Sequence, residues 1–307
     1  RVLEGEEAEQ ALAEAGRQST SRRQMEQHES FQEISPEVGV LDEDAFTDAM
    51  RDDPDDTLTL LAELVGATDE KLRELARSLA GRVVVDIVRT GPPRRKGLGR
   101  LRHRRADQGG ELDIDRSIET IAAARARGDA PSLEDLTARD WSKPDLALCL
   151  LIDRSGSMGG ERLATAAVAA AASLWRAPVD TSVVAFSDDA IVIASQGSGR
   201  DAEDVVNQLF RLRGFGTTDL AFAFRTAAAQ LSRSSASRRI TLLLSDGRAT
   251  AGDDPVEAAA ALDELIVLAP ADDSDAAVQL AGAVGGRCVV VTGPSSVPEA
   301  LAEALHG

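Results

Sequence analysis

The chain has 307 residues and a net charge of −18, with 52 Asp and Glu against 34 Lys and Arg. That balance argues against nucleic acid or an anionic membrane surface as the main partner, because phosphate binding needs a net basic face. Hydrophobic residues make up 43% and aromatics 3%, with Tyr absent, so the length allows one large or two ordinary domains around an aliphatic core.

No apolar run reaches the length of a spanning helix, and no charged-then-apolar leader opens the chain, so neither a membrane segment nor a secretory signal is expected. The first residue is Arg1 rather than Met, which leaves room for an upstream segment. Cys149 and Cys288 each sit inside an apolar run, "LALCLLI" and "RCVVVT", and read as small core residues that fit a reducing, cytoplasmic location.

Residues 1–56 are polar and acidic. The stretch "EGEEAEQALAEAGRQSTSRRQMEQHESFQEI" reads as a solvated helix with few apolar anchors, partly flexible and ordered against a partner. "DEDAFTDAMRDDPDD" is an acidic helix and linker, or an acidic docking segment, interrupted at Pro54. From Thr57 the apolar residues fall near helical spacing, Leu58, Leu60, Leu61, Leu64 and Val65 and then Leu72, Leu75, Leu79, Val83 and Ile87. Gly66 and "ATDE" separate the two sets, which predicts a helical hairpin over 57–89 within a helical region spanning 57–140.

A basic linker, "GPPRRKGLGRLRHRR" over 91–105, carries six Arg and one Lys. Pro and Gly break regular structure there. No aromatic is interleaved for base stacking, so pairing with this chain's own acids or with an acidic partner is expected. A turn and a helix from Asp115 to Arg127 follow.

Residues 143–307 have a different rhythm. "LALCLLID" is apolar throughout, as in a strand buried on both faces, and an Ala-rich helix, "RLATAAVAAAASLWRA", comes next. "TSVVAF" and "AIVIAS" form a hairpin across "SDD". Helices then alternate with the strands "RITLLLSDG", "LIVLAP" and "RCVVV", and "VPEALAEAL" is a final helix. This alternation predicts an α/β, Rossmann-like domain. Its sheet is mostly parallel and six-stranded, covered by helices on both faces and preceded by a mainly helical N-terminal region. In such sheets ligands sit at the carboxyl ends of the strands, where the strand order reverses.

Asp153 stands at the carboxyl end of the first of these strands, in "LLIDRSGSM". Residues two apart in an extended loop point the same way, so Asp153, Ser155 and Ser157 can aim three oxygens at one point, and Gly156 allows a tight bend. These hard donors suit Mg2+, Mn2+ or Ca2+ and do not suit Zn2+. "GFGTTDL", a Gly-rich loop opening a helix, adds a hydroxyl from Thr217 or Thr218. "LLLSDG" ends a second buried strand and brings Asp246 to the same edge.

D-x-S-x-S, then a Thr in "GTTD", then Asp in "LLLSDG", in this order of strands and helices, resembles the von Willebrand factor A (VWA) domain with its metal-ion-dependent adhesion site. The likeness covers about residues 143–307. It implies that Ser155 and Ser157 ligate the metal directly and that Asp153 and Asp246 bind it directly or through water. It also implies Thr218, the residue before Asp219, as the last ligand. Family loops commonly read Gly-Gly-Thr-Asp and Thr217 stands here at the second Gly, so Thr217 is the alternative.

Other chemistries fit these residues less well. An aspartyl-phosphate phosphatase would carry D-x-D-x-T, but Ser155 replaces the second acid. The Gly-x-Ser-x-Gly frame of an α/β-hydrolase is absent around Ser155. A Ser nucleophile also needs a His base, and none of His28, His103 and His306 is convincingly placed. With no base, nucleophile or cofactor loop visible, no catalysis is expected. No Walker motif occurs, so an ATPase would be another polypeptide or an upstream part.

A cation held by two carboxylates and three neutral hydroxyls stays electrophilic, and a Glu or Asp from a partner protein can displace its water. Arg154, Arg213 and Arg248 flank the ligand segments. They are expected to encircle that carboxylate, or else to pair with Asp188, Asp189 or Asp219. "LSDGRAT" and "LIDRSGSM" further resemble bacterial intracellular VWA proteins, in which a helical segment precedes a C-terminal VWA domain. That group includes CoxE-like proteins working with MoxR-type AAA+ ATPases. The resemblance implies a metal-dependent adaptor for such an ATPase in complex assembly or metal and cofactor insertion. The alternative is a non-catalytic VWA subunit of a magnesium- or cobalt-chelatase-like complex.

Overall fold

The computed structural model describes residues 1–15, 20–91, 100–108, 111–142, 146–155, 160–212, 214 and 216–306. In chain order the first elements are β1 (Val2–Leu3), α1 (Glu6–Ala15), α2 (Arg22–Met25), α3 (Phe31–Ile34), α4 (Glu43–Asp52), α5 (Pro54–Val65) and α6 (Glu70–Thr90). Next come β2 (Arg100–Arg105), β3 (Glu111–Leu112), α7 (Ile114–Arg127) and β4 (Thr137–Ser142). They are followed by β5 (Leu146–Asp153), α8 (Gly160–Arg176), β6 (Thr181–Phe186), β7 (Ala190–Ala194), α9 (Ala202–Leu209) and α10 (Leu220–Leu231). The chain ends with β8 (Arg238–Leu244), α11 (Pro255–Ala259), β9 (Glu264–Pro270), α12 (Asp275–Ala283), β10 (Arg287–Val291) and α13 (Val297–His306). These elements form two compact units, residues 1–94 with 146–307, and residues 95–145.

The larger unit is built on a seven-stranded sheet in the order β1-β7-β6-β5-β8-β9-β10. Every neighbouring pair is parallel except the β6–β7 hairpin. Six of these strands are those read from residues 143–307. The seventh is β1, which adds to the edge through Val2↔Ala190 and Leu3↔Ile191.

Alternation along β5 explains why the strand is apolar throughout. Leu148, Leu150 and Ile152 enter the core shared with α5, α6, α8, α9 and α13. Ala147, Cys149 and Leu151 enter the core on the opposite face, with α10, α11 and α12. Leu150 is fully buried, so truncating it to Ala should cost about 2–5 kcal/mol.

The N-terminal residues pack more closely than their composition suggests. Met25, Phe31, Ile34 and Phe46 are each 2% exposed or less, so the few apolar residues of 1–56 are anchors in the same core. Asp42, Asp53 and Asp69 cap α4, α5 and α6 by accepting backbone N–H bonds. Pro54 opens α5 at its first turn instead of only ending the acidic helix, because a helix's first residues need no N–H partner within it. The hairpin expected over 57–89 therefore begins three residues earlier.

The smaller unit is an antiparallel sheet in the order β2-β4-β3 with α7. Ser117 on α7 ties the helix to β4 by accepting the Thr137 N–H at 3.0 Å. The basic linker read over 91–105 thus differs in its second half, where Arg100–Arg105 pairs with Thr137–Ser142. Residues 92–99 lie outside the described residues.

Candidate metal centre

β5 and β8 are adjacent and parallel at the middle of the sheet, in a register that sets Ile152 beside Leu244. The two strands therefore end level, and Asp153 and the Ser245–Asp246 pair emerge at the same carboxyl edge. β6 lies on the other side of β5. The strand order reverses there, and the connections leave open space.

Hydrogen bonds hold the edge residues together. Asp153 Oδ1 accepts the Ser155 N–H at 2.9 Å, which turns the chain back over the strand end. Asp153 Oδ2 accepts the Ser245 hydroxyl at 2.8 Å. Ser245 Oγ in turn accepts the Gly247 N–H at 3.0 Å, and Asp246 Oδ1 accepts the Arg248 N–H at 2.9 Å. From the loop before α10, the Thr218 hydroxyl donates to Ser155 Oγ at 2.6 Å. Thr218 is itself fixed by Thr250, whose Oγ1 accepts the Thr218 N–H at 2.9 Å and whose N–H donates to the Thr218 carbonyl at 3.0 Å. The neighbouring Asp219 caps α10, accepting the Phe222 N–H at 2.8 Å.

Four of the five expected ligands are thus brought to one place. Asp153, Ser155 and Asp246 line a single cavity of about 150 Å³, and Thr218 reaches Ser155 from beside it. Of the two threonines, Thr218 is the buried one bonded to Ser155, whereas Thr217 is exposed. Ser157 lies outside the described residues, as does Arg213. Ser245 and Thr250 were not singled out from sequence. Ser245 had a signal, a hydroxyl beside the acid of "LLLSDG", whereas Thr250 had none, being 32 residues from the loop it holds.

The arginines differ. Of the two roles open to Arg154, facing a partner carboxylate or pairing with a nearby acid such as Asp189, the structure shows the second: its side chain is 1% exposed and paired with Asp189. Its backbone explains this. The Arg154 N–H donates to the Phe186 carbonyl at 2.9 Å, continuing the β5–β6 ladder by one residue and carrying the side chain into the protein. Arg248 is exposed and bonded to Asp273 at 2.5 Å, so it keeps a surface to offer.

The donor chemistry suits a hard divalent cation: two carboxylates and two hydroxyls, with no nitrogen or sulfur among them. Among the described residues, no group of three or more His, Cys, Asp or Glu could hold a metal by itself. The hydroxyls would therefore have to complete the ligand set. The one described His ring, His28, is bound to Asp56 at 2.6 Å on the helical side, so it offers Ser155 no base. Cys149 lies beneath the site, and burial pushes its thiol up to about 12, a value that leaves it unreactive. Among the described residues no helix is long and apolar enough to cross a membrane.

The family model described as "VWA domain containing CoxE-like protein" matches residues 79–278, well over half of the chain. No curated protein matches the chain in sequence. Among solved structures, the chain is similar to a von Willebrand factor type A protein from Catenulispora acidiphila, at 16% identity and a TM-score of 0.43 over 54% of this chain and 43% of that one. The chain thus spans less than half the length of that relative. It is also similar to an aerotolerance-related membrane protein from Bacteroides fragilis, at 18% identity and a TM-score of 0.41 over 53% of this chain and 98% of that one. A manganese-loaded TRAP protein from Plasmodium vivax is similar at 19% identity and a TM-score of 0.39, over 45% and 63% of the two chains. Likenesses this distant carry no argument about ligands.

Proposed function

The chain belongs to the family of CoxE-like VWA domain proteins, and we propose that it is a metal-dependent protein-interaction module, without catalytic activity, serving a MoxR-type AAA+ ATPase. The observation that carries this reading is the convergence of Asp153, Ser155, Thr218 and Asp246 at the reversal point of the sheet, from three separate chain segments. In this proposal Ser155, Ser157 and Thr218 ligate Mg2+ or a similar hard cation, with Asp153 and Asp246 bound directly or through water. The ion supplies an electrophilic position for a carboxylate. The other donors are neutral hydroxyls, so the ion keeps a water-held position that an incoming Glu or Asp from a partner fills. Arg248, beside the site, steers that carboxylate.

The chain's own residues do the rest. Ser245 and the Ser155 N–H hold the Asp153 carboxylate in one orientation, and Thr250 holds the Thr218 loop. Free Cys149 and Cys288 fit a reducing, cytoplasmic compartment for this work. The test is binding of the purified chain to a purified MoxR-type AAA+ ATPase, in Mg2+ and in EDTA. Binding lost in EDTA and in Ser157→Ala supports the proposal; equal affinity in both conditions overturns it.

A further inference from the structure

Helix α5 of the N-terminal region reaches the segments that flank the candidate site. α5 packs along α8 and against the turn after β10. At two glycines there, side chains of α5 come close to the backbone. Gly160, the first residue of α8 and so the end of the D-x-S-x-S loop, has φ +47°. A Cβ on it would lie 3.0 Å from Thr59 Cγ2 and 3.3 Å from Glu63 Oε1. Gly293, which lines the same cavity as Asp153, Ser155 and Asp246, would place a Cβ 2.4 Å from Asp55 Oδ2. Asp55 also accepts the Ser295 N–H at 2.8 Å, fixing that turn from the side of the helix.

α5 is held in turn from below. His28 Nδ1 lies 2.6 Å from Asp56 Oδ1, and its Nε2 lies 3.4 Å from Glu63 Oε2. The ring therefore hydrogen-bonds Asp56 and sits beside Glu63, two turns further along the same helix, which ties the α2–α3 segment to α5. A helix whose only task was to cover α8 would need apolar residues, and α5 has them in Leu58, Leu61 and Leu64. Asp55, Thr59 and Glu63 lie along a different side of the helix and end on the two glycines.

We propose that Asp55, Thr59 and Glu63 are positioning residues for the metal face, and that α5, locked by His28, sets the geometry of the loops at Gly160 and Gly293. This rests on the metal-site reading above. Displacing α5, as a partner of the N-terminal region could do, would then alter metal affinity without touching a ligand.

The test uses the full chain and compares wild type with Gly160→Ala, Asp55→Ala and Glu63→Gln, with Asp153→Ala as the ligand control. Two quantities are read: Mg2+ affinity by calorimetry well below the melting temperature, and amide hydrogen exchange in peptides covering 153–165 and 291–296 without metal. Residues that orient ligands from behind commonly change metal affinity by about tenfold or more. The expected result is a loss of that size in folded Asp55→Ala and Gly160→Ala, with faster exchange in the two loops. Wild-type exchange in both variants overturns the proposal, and so does wild-type Mg2+ affinity in both. If the wild type itself binds no Mg2+, the metal reading fails separately, and exchange alone decides whether α5 holds the loops. Glu63→Gln, which keeps the side-chain shape at Gly160, should stay near wild type; a loss as large as that of Gly160→Ala would contradict a packing role for Glu63.

Discussion

Thr218 and Ser155, 63 residues apart in the chain, are joined by a 2.6 Å hydrogen bond between their side-chain hydroxyls. Each sits on a segment fixed by other bonds, Ser155 by Asp153 and Thr218 by Thr250. The pair is therefore preorganised rather than an accident of two mobile loops. A cation seated between two such oxygens would replace one hydrogen bond with two metal–oxygen contacts.

Thr218→Val tests that relationship. It keeps the shape of a residue that is 4% exposed and removes the hydroxyl. The expected cost in stability without metal is about 1 kcal/mol, the net worth of one hydrogen bond. The expected loss of Mg2+ affinity is tenfold or greater, roughly what the loss of a tuned contact at a metal site gives. Denaturation and calorimetric titration of the same preparation separate the two effects.

Arg154 and Arg248 should behave in opposite ways. Breaking the buried Arg154–Asp189 pair by Arg154→Ala leaves Asp189 with part of its charge in a desolvated place. Because Asp189 keeps some exposure, the expected destabilisation is about 2–3 kcal/mol. The Arg248–Asp273 pair is exposed, and Arg248→Ala should change stability by roughly 0–1 kcal/mol. If Arg248 guides a partner carboxylate, its loss should slow association more than it speeds dissociation. Stopped-flow binding at two salt concentrations distinguishes these outcomes.

Two carboxylates should give opposite pH dependences. Glu264 is held below its ordinary value near 4.5, first by hydrogen bonds from Arg238, at 2.7 and 2.8 Å, against the cost of burial. Its contribution is present above that value and is lost as pH falls through the folded-state pKa. The stability gap between wild type and Glu264→Gln should therefore narrow in acid. Glu63 is raised above 4.5, chiefly by burial and against the pull of His28. Its contribution is present below that value and is lost as pH rises through its folded-state pKa. Glu63→Gln should therefore gain relative to wild type as pH rises from 4.5. Urea denaturation across pH checks both; a gap that moves the other way for either variant contradicts its assignment.

Most of the sheet was legible because its strands are apolar on both faces and alternate with helices, a pattern that needs no tertiary information. The placement of Asp153 and Asp246 was legible for the same reason, since strand ends fix where they emerge. What escaped has local causes. β1 is two residues long, too short for any period, and exists only because β7 offers an edge. β2 and β4 read "RLRHRR" and "TARDWS", charged sequences whose pairing with each other is the only sign of a strand. For Arg154 the sequence leaves two roles open, a partner's carboxylate or an acid of this chain such as Asp189. Only the extra ladder bond to Phe186 and the presence of Asp189 reveal that it turns inward. The anchoring of 1–56 by Phe31, Ile34 and Phe46 depends on a surface that other segments build.

Calorimetric titration of Mg2+ into wild type and Asp153→Ala decides whether Asp153, Ser155, Thr218 and Asp246 form a metal site. One site is expected in the wild type, with a melting temperature that rises with Mg2+. The corresponding stabilisation is about 2.7 kcal/mol when free metal is roughly a hundred times its dissociation constant. Both signals should vanish in Asp153→Ala while the variant stays folded. Identical titrations of the two proteins, or no Mg2+ binding by the wild type, would contradict it.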